Sequence, residues 1–328
     1  MCRNNLETKP DNLMKSKILF AVATIVLTLA FSARAEEGGA GHYAPGSFAS
    51  FVDVLPDKPG AGVFNYFTYY NGDANVSHPL PIAGRIAANV EATSYANTIG
   101  GFWVTPLKIF GGSYSPGVAV PFVWNSVTAK VTLPTVGTVQ RTGNANGLGD
   151  IEFWPVAIGW SAISNDLHID FFGGIYAPSG GYQKNQLANQ GLGYWTFEPG
   201  LLVSYFGQQN GFEASTYMGY DINTKNDTTG YQSGEVFHID GTVAQHFPLG
   251  KGFGGVGATA FYLQQTTADS GGKLGSFEQM TAGVGPVLSY AAQFAKWGFA
   301  AEVKWLPQMT TDHTLNGNFI WAKIGVSF

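Results

Sequence analysis

Cysteine and charge are both scarce in this chain. Its single cysteine is Cys2, and Asp, Glu, Lys and Arg together make up 12% of the 328 residues. Cys2 lies ahead of an export signal, so the exported chain would hold no thiol. That excludes disulfides and thiolate-bound metals and suits passage through an oxidising compartment. Long apolar runs are missing too. After residue 35 nothing approaches the roughly 20 consecutive apolar residues that a spanning helix needs, although 45% of the residues are hydrophobic. A basic excess is absent as well. The first 35 residues carry five bases and two acids; without them 12 Lys and Arg face 20 Asp and Glu, a net charge near −8. Such a balance argues against a nucleic-acid partner. Phosphate-loop and dinucleotide fingerprints do not occur in a strand–helix context.

What is present begins with a leader. Lys15 and Lys17 precede the apolar stretch from Ile18 to Phe31, and Ala33-Arg34-Ala35 and two glutamates follow. Positive, apolar and small-x-small regions in that order read as a secretory signal peptide over residues 1–35, cleaved after Ala35. Met14 is an alternative start that would leave residues 1–13 upstream of the protein.

The remaining apolar residues alternate. In the last segment Ile320, Ala322, Ile324, Val326 and Phe328 occupy every second position, with Phe319, Trp321, Lys323, Gly325 and Ser327 between them. Period two puts the two sets on opposite strand faces. An apolar face ending in a terminal aromatic resembles the closing strand of bacterial outer-membrane barrels. In that class the strand bears the assembly signal, here Ile324, Val326 and Phe328. Alternation bounded by turn residues predicts about twelve strands, near 62–71, 84–104, 109–127, 149–162, 167–177, 194–206, 211–222, 234–247, 252–267, 277–292, 296–307 and 317–328. Short links at Thr105–Lys108, Ile163–Asp166, Gly207–Asn210, Pro248–Lys251 and Gln293–Ala295 alternate with longer ones near 72–83, 128–148, 178–193, 223–233, 268–276 and 308–316. Short periplasmic turns and long external loops mark an all-β, antiparallel, up-and-down transmembrane barrel over residues 62–328, with both termini periplasmic.

A charge facing hydrocarbon is costly, so the charged face of each strand must line the lumen. That predicts a lumen set of Arg85, Glu91, Asp150, Glu152, His168, Asp170, Glu198, Glu213, Asp221, His238, Asp240, Glu302, Lys304 and Lys323. Tyr176, Tyr194, Tyr217, Phe172, Phe319 and Trp321 share the same face and offer aromatic solutes a stacking path. Tyr69, Tyr70, Trp103, Trp160, Tyr205, Trp297 and Trp305, near strand ends, suit interfacial girdles. Residues 36–61 hold too many prolines and glycines for a spanning strand. They either plug the lumen, as the apolar Phe48–Val52 stretch favours, or hang in the periplasm.

Two further chemistries are open on spacing alone. His168 with Asp170 and His238 with Asp240 place an acid two positions from a histidine, as a base-orienting pair would, but no nucleophile motif accompanies them. No catalytic residue is assigned. Asp221, Asn223, Asn226 and Asp227 supply oxygens of the kind calcium takes, yet a solvated loop is the better account of them. No metal or cofactor is expected.

From residue 147 the chain reads Gly-Leu-Gly-Asp-Ile-Glu-Phe-Trp-Pro, then Ala177-Pro178-Ser179-Gly180-Gly181-Tyr182, Tyr194-Trp195-Thr196-Phe197-Glu198-Pro199, Tyr220-Asp221-Ile222-Asn223-Thr224-Lys225-Asn226 and Tyr231-Gln232-Ser233-Gly234. Together with His42-Tyr43 and Val54-Leu55-Pro56, these resemble the outer-membrane proteins labelled as the phenol-degradation meta-pathway family. Pro178-Ser179-Gly180-Gly181 departs mildly from the family's Pro-Thr-Gly. The resemblance implies a non-enzymatic outer-membrane channel for passive uptake of small hydrophobic or aromatic compounds. Its partners would be outer-membrane lipid and lipopolysaccharide, the barrel-assembly machinery and the solute. A structural or adhesive barrel, a general porin and a lipid-modifying enzyme are the alternatives.

Overall fold

Twelve antiparallel strands hydrogen-bond in chain order and close on themselves. The computed structural model describes residues 40–74, 80–82, 85–87, 89–133, 137–184, 186–271 and 278–328; the expected signal peptide falls outside them. The strands are β1 (Gly60–Ala74), β2 (Val90–Val104), β3 (Gly117–Leu133), β4 (Ile151–Ala162), β5 (Leu167–Ala177) and β6 (Thr196–Phe206). They continue as β7 (Phe212–Asn223), β8 (Val236–Leu249), β9 (Gly252–Gln265), β10 (Met280–Gln293), β11 (Gly298–Asp312) and β12 (Asn316–Ser327). β1 pairs with β12 from Gly62 opposite Ser327 to Asp73 opposite Asn316, and a short β3–β4 pairing completes the ring. Pairing each strand with its neighbours lets the ladder groups bond between strands, the condition for crossing lipid as a sheet.

The weakest seam lies between β3 and β4, where only Gly117 to Ala119 oppose Trp154 to Glu152. Beyond it β3 pairs with a projecting arm, Gly137–Leu148, from Phe122 opposite Leu148 onward. This arm corrects the loop expected at 128–148. Pro134, Gly137 and the asparagines disguise a Thr/Val alternation that favours strand. Toward the other end, Tyr114 and Ser113 take over the pairing with Ile158 and Gly159. They belong to a small hairpin, Lys108–Ile109 with Gly112–Tyr114, so the expected strand from 109 is interrupted. Phe110 (φ 49°) and Gly111 (φ 82°) make its tip; an apolar Ile-Phe pair disguises a turn that glycine permits. The expected long loop at 308–316 is also corrected, because β11 runs to Asp312 and leaves a three-residue turn. The strand expected from 84 starts at Val90, after a separate pair of short strands, Leu80–Ile82 and Arg85–Ala87.

Burial follows the predicted parity. On β12, Ile320, Ile324 and Phe328 are exposed while Trp321 and Lys323 are buried. Val63, Ile99, Trp103, Trp124, Val243, Leu288 and Trp305 continue the exposed apolar face around the barrel. A belt of that extent is a lipid-facing surface. Tyr70 corrects the girdle expectation: it points inward, and its hydroxyl donates to Gln308 at 3.0 Å.

Residues 41–57 run through the interior, while Ala40, Lys58 and Pro59 at its two ends are exposed. Tyr43, Phe48, Ala49 and Leu55 form one buried cluster with Phe64, Trp154, Phe172, Leu202 and Tyr217 of the wall. Ala40 lines the same cavity as Gln186, Leu187 and Leu315 toward the long-loop mouth, whereas Gly60 begins β1 at the short-turn end. Both ends of the strand set therefore lie at the short-turn end, but Ala40 sits at the opposite mouth.

Candidate functional site

Most polar residues of the barrel wall that face the interior come from the inward parity of a strand, and most of them hold the chain segment that fills the barrel. At the long-loop mouth His42 Nε2 lies 2.9 Å from Asp150 and its Nδ1 lies 2.7 Å from Thr196 Oγ1. Asp150 sits in the break between the projecting arm and β4. It also accepts the backbone N–H groups of Gly180 (2.8 Å) and Leu192 (2.7 Å), which draws the β5–β6 loop inward. One turn deeper, Asp240 on β8 accepts the Tyr43 hydroxyl (2.6 Å) and the Gly46 N–H (2.8 Å). Burial and then the Asp240 charge hold the Tyr43 phenol well above its ordinary range, so it remains a donor.

Charges gather at mid-depth. Lys304 Nζ donates to the carbonyls of Gly46 and Phe48 at 3.2 Å and lies 2.9 Å from Glu302. Two backbone acceptors and one ion pair thus surround the ammonium. Lys323 lies 2.9 Å from Asp53 and 3.5 Å from Glu302, with the rings of Phe48 and Tyr66 within 6 Å. Trp321 Nε1 donates to Pro45 O at 3.0 Å. Nearer the short turns, Glu213 accepts the Phe51 N–H (2.8 Å) and pairs with His246 (2.6 Å), and Asp170 accepts the Leu55 N–H (2.8 Å). Each of these charges has an opposite charge or aligned N–H groups, the condition for tolerating it.

Above this packed level lies a cavity of about 460 Å³. Its lining includes Tyr66, Tyr70, Phe319 and Trp321 on β1 and β12 and Ala92, Ala96, Ala119, Val123 and Val127 on the adjoining β2 and β3. Among the described residues, His42, Asp150 and Glu152 are its acidic or imidazole neighbours, and no lysine or arginine lines it. A mainly apolar chamber of this size, with a few polar groups at its floor, accommodates a small hydrophobic molecule.

The expected lumen residues are mostly brought together here. Asp170, Tyr176, Glu198, Glu213, Tyr217, His238, Asp240, Glu302, Lys304, Trp321 and Lys323 are all buried inside. Glu91 is a correction: it is exposed and pairs with Lys130 near the long-loop end, because β2 turns its alanines and serines inward. The Arg85 side chain lies outside the described residues. His168 sits at the short-turn rim, 3.1 Å from Ser161 Oγ and from Asn165 O, and does not meet Asp170. Ser161 Oγ instead meets Asp57 at 2.6 Å, so the acid holds the serine rather than the histidine and the order of a catalytic triad is not met. The proposed calcium ligands are likewise dispersed. Asn223 accepts from Thr196 and donates to Gly234 O, while Asn226 caps the backbone of Thr228 and Thr229.

His238 does not pair with Asp240. Its Nε2 lies 3.4 Å from Glu198 Oε1 and 3.6 Å from Asp221 Oδ1, and the three side chains could together hold a cation. Sequence reasoning missed Asp53, Tyr43, Tyr66 and Tyr70. A signal existed for Asp53: Ser50-x-x-Asp53 follows the capping-box spacing, and both the Ser50 N–H and hydroxyl donate to its carboxylate.

The model of the family described as "Putative MetA-pathway of phenol degradation" matches residues 69–324. Among solved structures, the COG4313 outer membrane channel from Pseudomonas putida F1 superposes with a TM-score of 0.59 at 13% identity, covering 88% of this chain and all of that one. The beta domain of the Bordetella autotransporter BrkA gives 0.46 at 12% identity, covering 83% of this chain and 99% of that one. No curated protein matches the chain by sequence.

Proposed function

The chain belongs to the MetA-pathway phenol-degradation family of outer-membrane barrels, and from that premise we propose that it admits small hydrophobic or aromatic compounds by passive diffusion. The observation that carries this reading is the cavity. Its aromatic residues can stack a flat solute, and among the described residues its lining is mainly apolar, with acids but no lysine or arginine. Transport requires no cofactor or covalent step, only a gradient.

Residues 40–58 act in this reading as a plug. Below the cavity they fill the lumen and are tied to β5, β7, β8, β11 and β12 by the contacts of Leu55, Phe51, Tyr43, Gly46 and Asp53. Solute held in the cavity passes when this segment shifts. The long loops face the exterior, the short turns face the periplasm, and the assembly machinery reads Ile324, Val326 and Phe328.

A bromophenol soak of crystals of the refolded barrel tests the reading. Anomalous bromine signal between Phe319, Tyr70 and Ala96 is the expected result. Bromine confined to the outer lipid-facing surface, at saturating bromophenol, would overturn it.

A further inference from the structure

We infer that Glu198, Asp221 and His238 form a site for one divalent transition-metal ion of the zinc type, and that this ion steadies the lumen segment lying against it. The first ground is a distance. The barrel's other buried histidine–carboxylate pairs close to hydrogen-bond range, His42 with Asp150 at 2.9 Å and His246 with Glu213 at 2.6 Å. His238 Nε2 stands off at 3.4 and 3.6 Å from its two carboxylate oxygens. With metal–ligand bonds of about 2.0–2.2 Å, a tetrahedral ion separates its ligand atoms by roughly 3.3–3.6 Å. The spacing suits an ion between the atoms better than a proton shared by them.

The second ground is burial without hydrogen bonds. His238 is 0% exposed and Asp221 2%, yet His238 Nε2 and Asp221 Oδ1 make no hydrogen bond. Such orphaned polar atoms are costly, and an ion at their centre would engage both. It would also offset two carboxylates that lie away from the lumen's lysines, since Lys304 and Lys323 are taken up by Glu302 and Asp53.

The surroundings are arranged as a ligand's supports are. Tyr176 donates to Glu198 Oε2 at 2.8 Å, and Tyr217 donates to Oε1, which fixes the carboxylate. Gly219 leaves the necessary room: a Cβ there would fall 2.4 Å from His238 Cε1 and 2.9 Å from Glu198 Oε1. Imidazole beside carboxylates selects zinc and its first-row neighbours over calcium or magnesium. Three protein ligands leave one position of a four-coordinate ion for solvent. The consequence for the plug runs through Tyr43, whose ring stacks on the His238 imidazole with centroids 3.5 Å apart and planes 11° from parallel.

The test uses the full-length, untagged mature protein, stripped with chelator and titrated with Zn²⁺ by calorimetry and metal counting. One equivalent is expected in the wild type, with X-ray absorption showing only N and O ligands and one imidazole. Asp221→Asn and His238→Gln should each weaken binding at least tenfold, and His246→Gln should not. Chelation of the wild type should speed proteolysis within residues 40–58, a readout that does not depend on any variant folding. Absence of stoichiometric Zn²⁺ from the wild type would overturn the inference, as would equal binding by both ligand variants.

Discussion

Lys323 on the closing strand and Asp53 on the lumen segment lie 2.9 Å apart, and neither side chain is exposed to solvent. The two positions are 270 residues apart in sequence, so this pair joins the lumen segment to the last strand. Removing one partner leaves a buried charge uncompensated. Lys323→Met alone should destabilise the refolded barrel by about 3–5 kcal/mol, whereas Asp53→Leu with Lys323→Met should recover most of that. Urea unfolding followed by tryptophan fluorescence checks both. Additive losses in the double variant would contradict the pairing.

Gly46 provides a second test of the same segment. Its φ of +85° is left-handed, and a Cβ there would sit 2.1 Å from Leu306 Cδ1 and 3.2 Å from Trp321 Nε1. Gly46→Ala should therefore expel the segment and speed its proteolysis. Gly111→Ala is the control, with a similar φ of +82° but nothing within 4 Å. It should cost only the backbone term of about 1–2 kcal/mol and leave residues 40–58 protected.

The cavity wall predicts a loss of transport without a loss of fold. Ala96 faces the chamber between β1 and β3. Ala96→Trp should fill that space and lower entry of a neutral aromatic toward the protein-free rate, with the folded fraction unchanged. Unimpaired entry would place the solute path elsewhere.

Phe328 predicts a loss of the opposite kind. Its ring is 67% exposed, and its backbone exchanges two hydrogen bonds with Ala61. Those bonds contribute about 0.5–1.5 kcal/mol each, small beside the full β1–β12 ladder. Deleting Phe328 should slow insertion in cells while the purified variant still refolds to a closed barrel. Normal insertion in cells would remove the residue from the assembly signal.

The strands and their facing were legible because lipid on one side and a packed lumen on the other impose a strict period of two. Trp321 and Lys323 face inward and Ile320 and Ile324 outward, as alternation alone requires. The partners of the lumen charges were not legible. His238 and Asp240 share a strand face, yet Asp240 turns to Tyr43 and His238 to Glu198 and Asp221. Those choices depend on a segment with no periodicity of its own, docked by backbone N–H groups such as those of Phe51 and Leu55. The projecting arm escaped for a related reason: its strand character lies in threonines and valines interrupted by turn residues, and pairing with β3 decides the outcome.

Solute entry tests the central claim most directly. Residues 36–328 refolded into liposomes are compared with protein-free liposomes for a phenol, a small aromatic acid and a sugar of similar size. The account predicts faster entry of the phenol, a smaller effect on the acid and none on the sugar, with Ala96→Trp abolishing the gain. Equal acceleration of all three would make the protein a general pore, and no acceleration by a correctly inserted barrel would contradict a channel altogether.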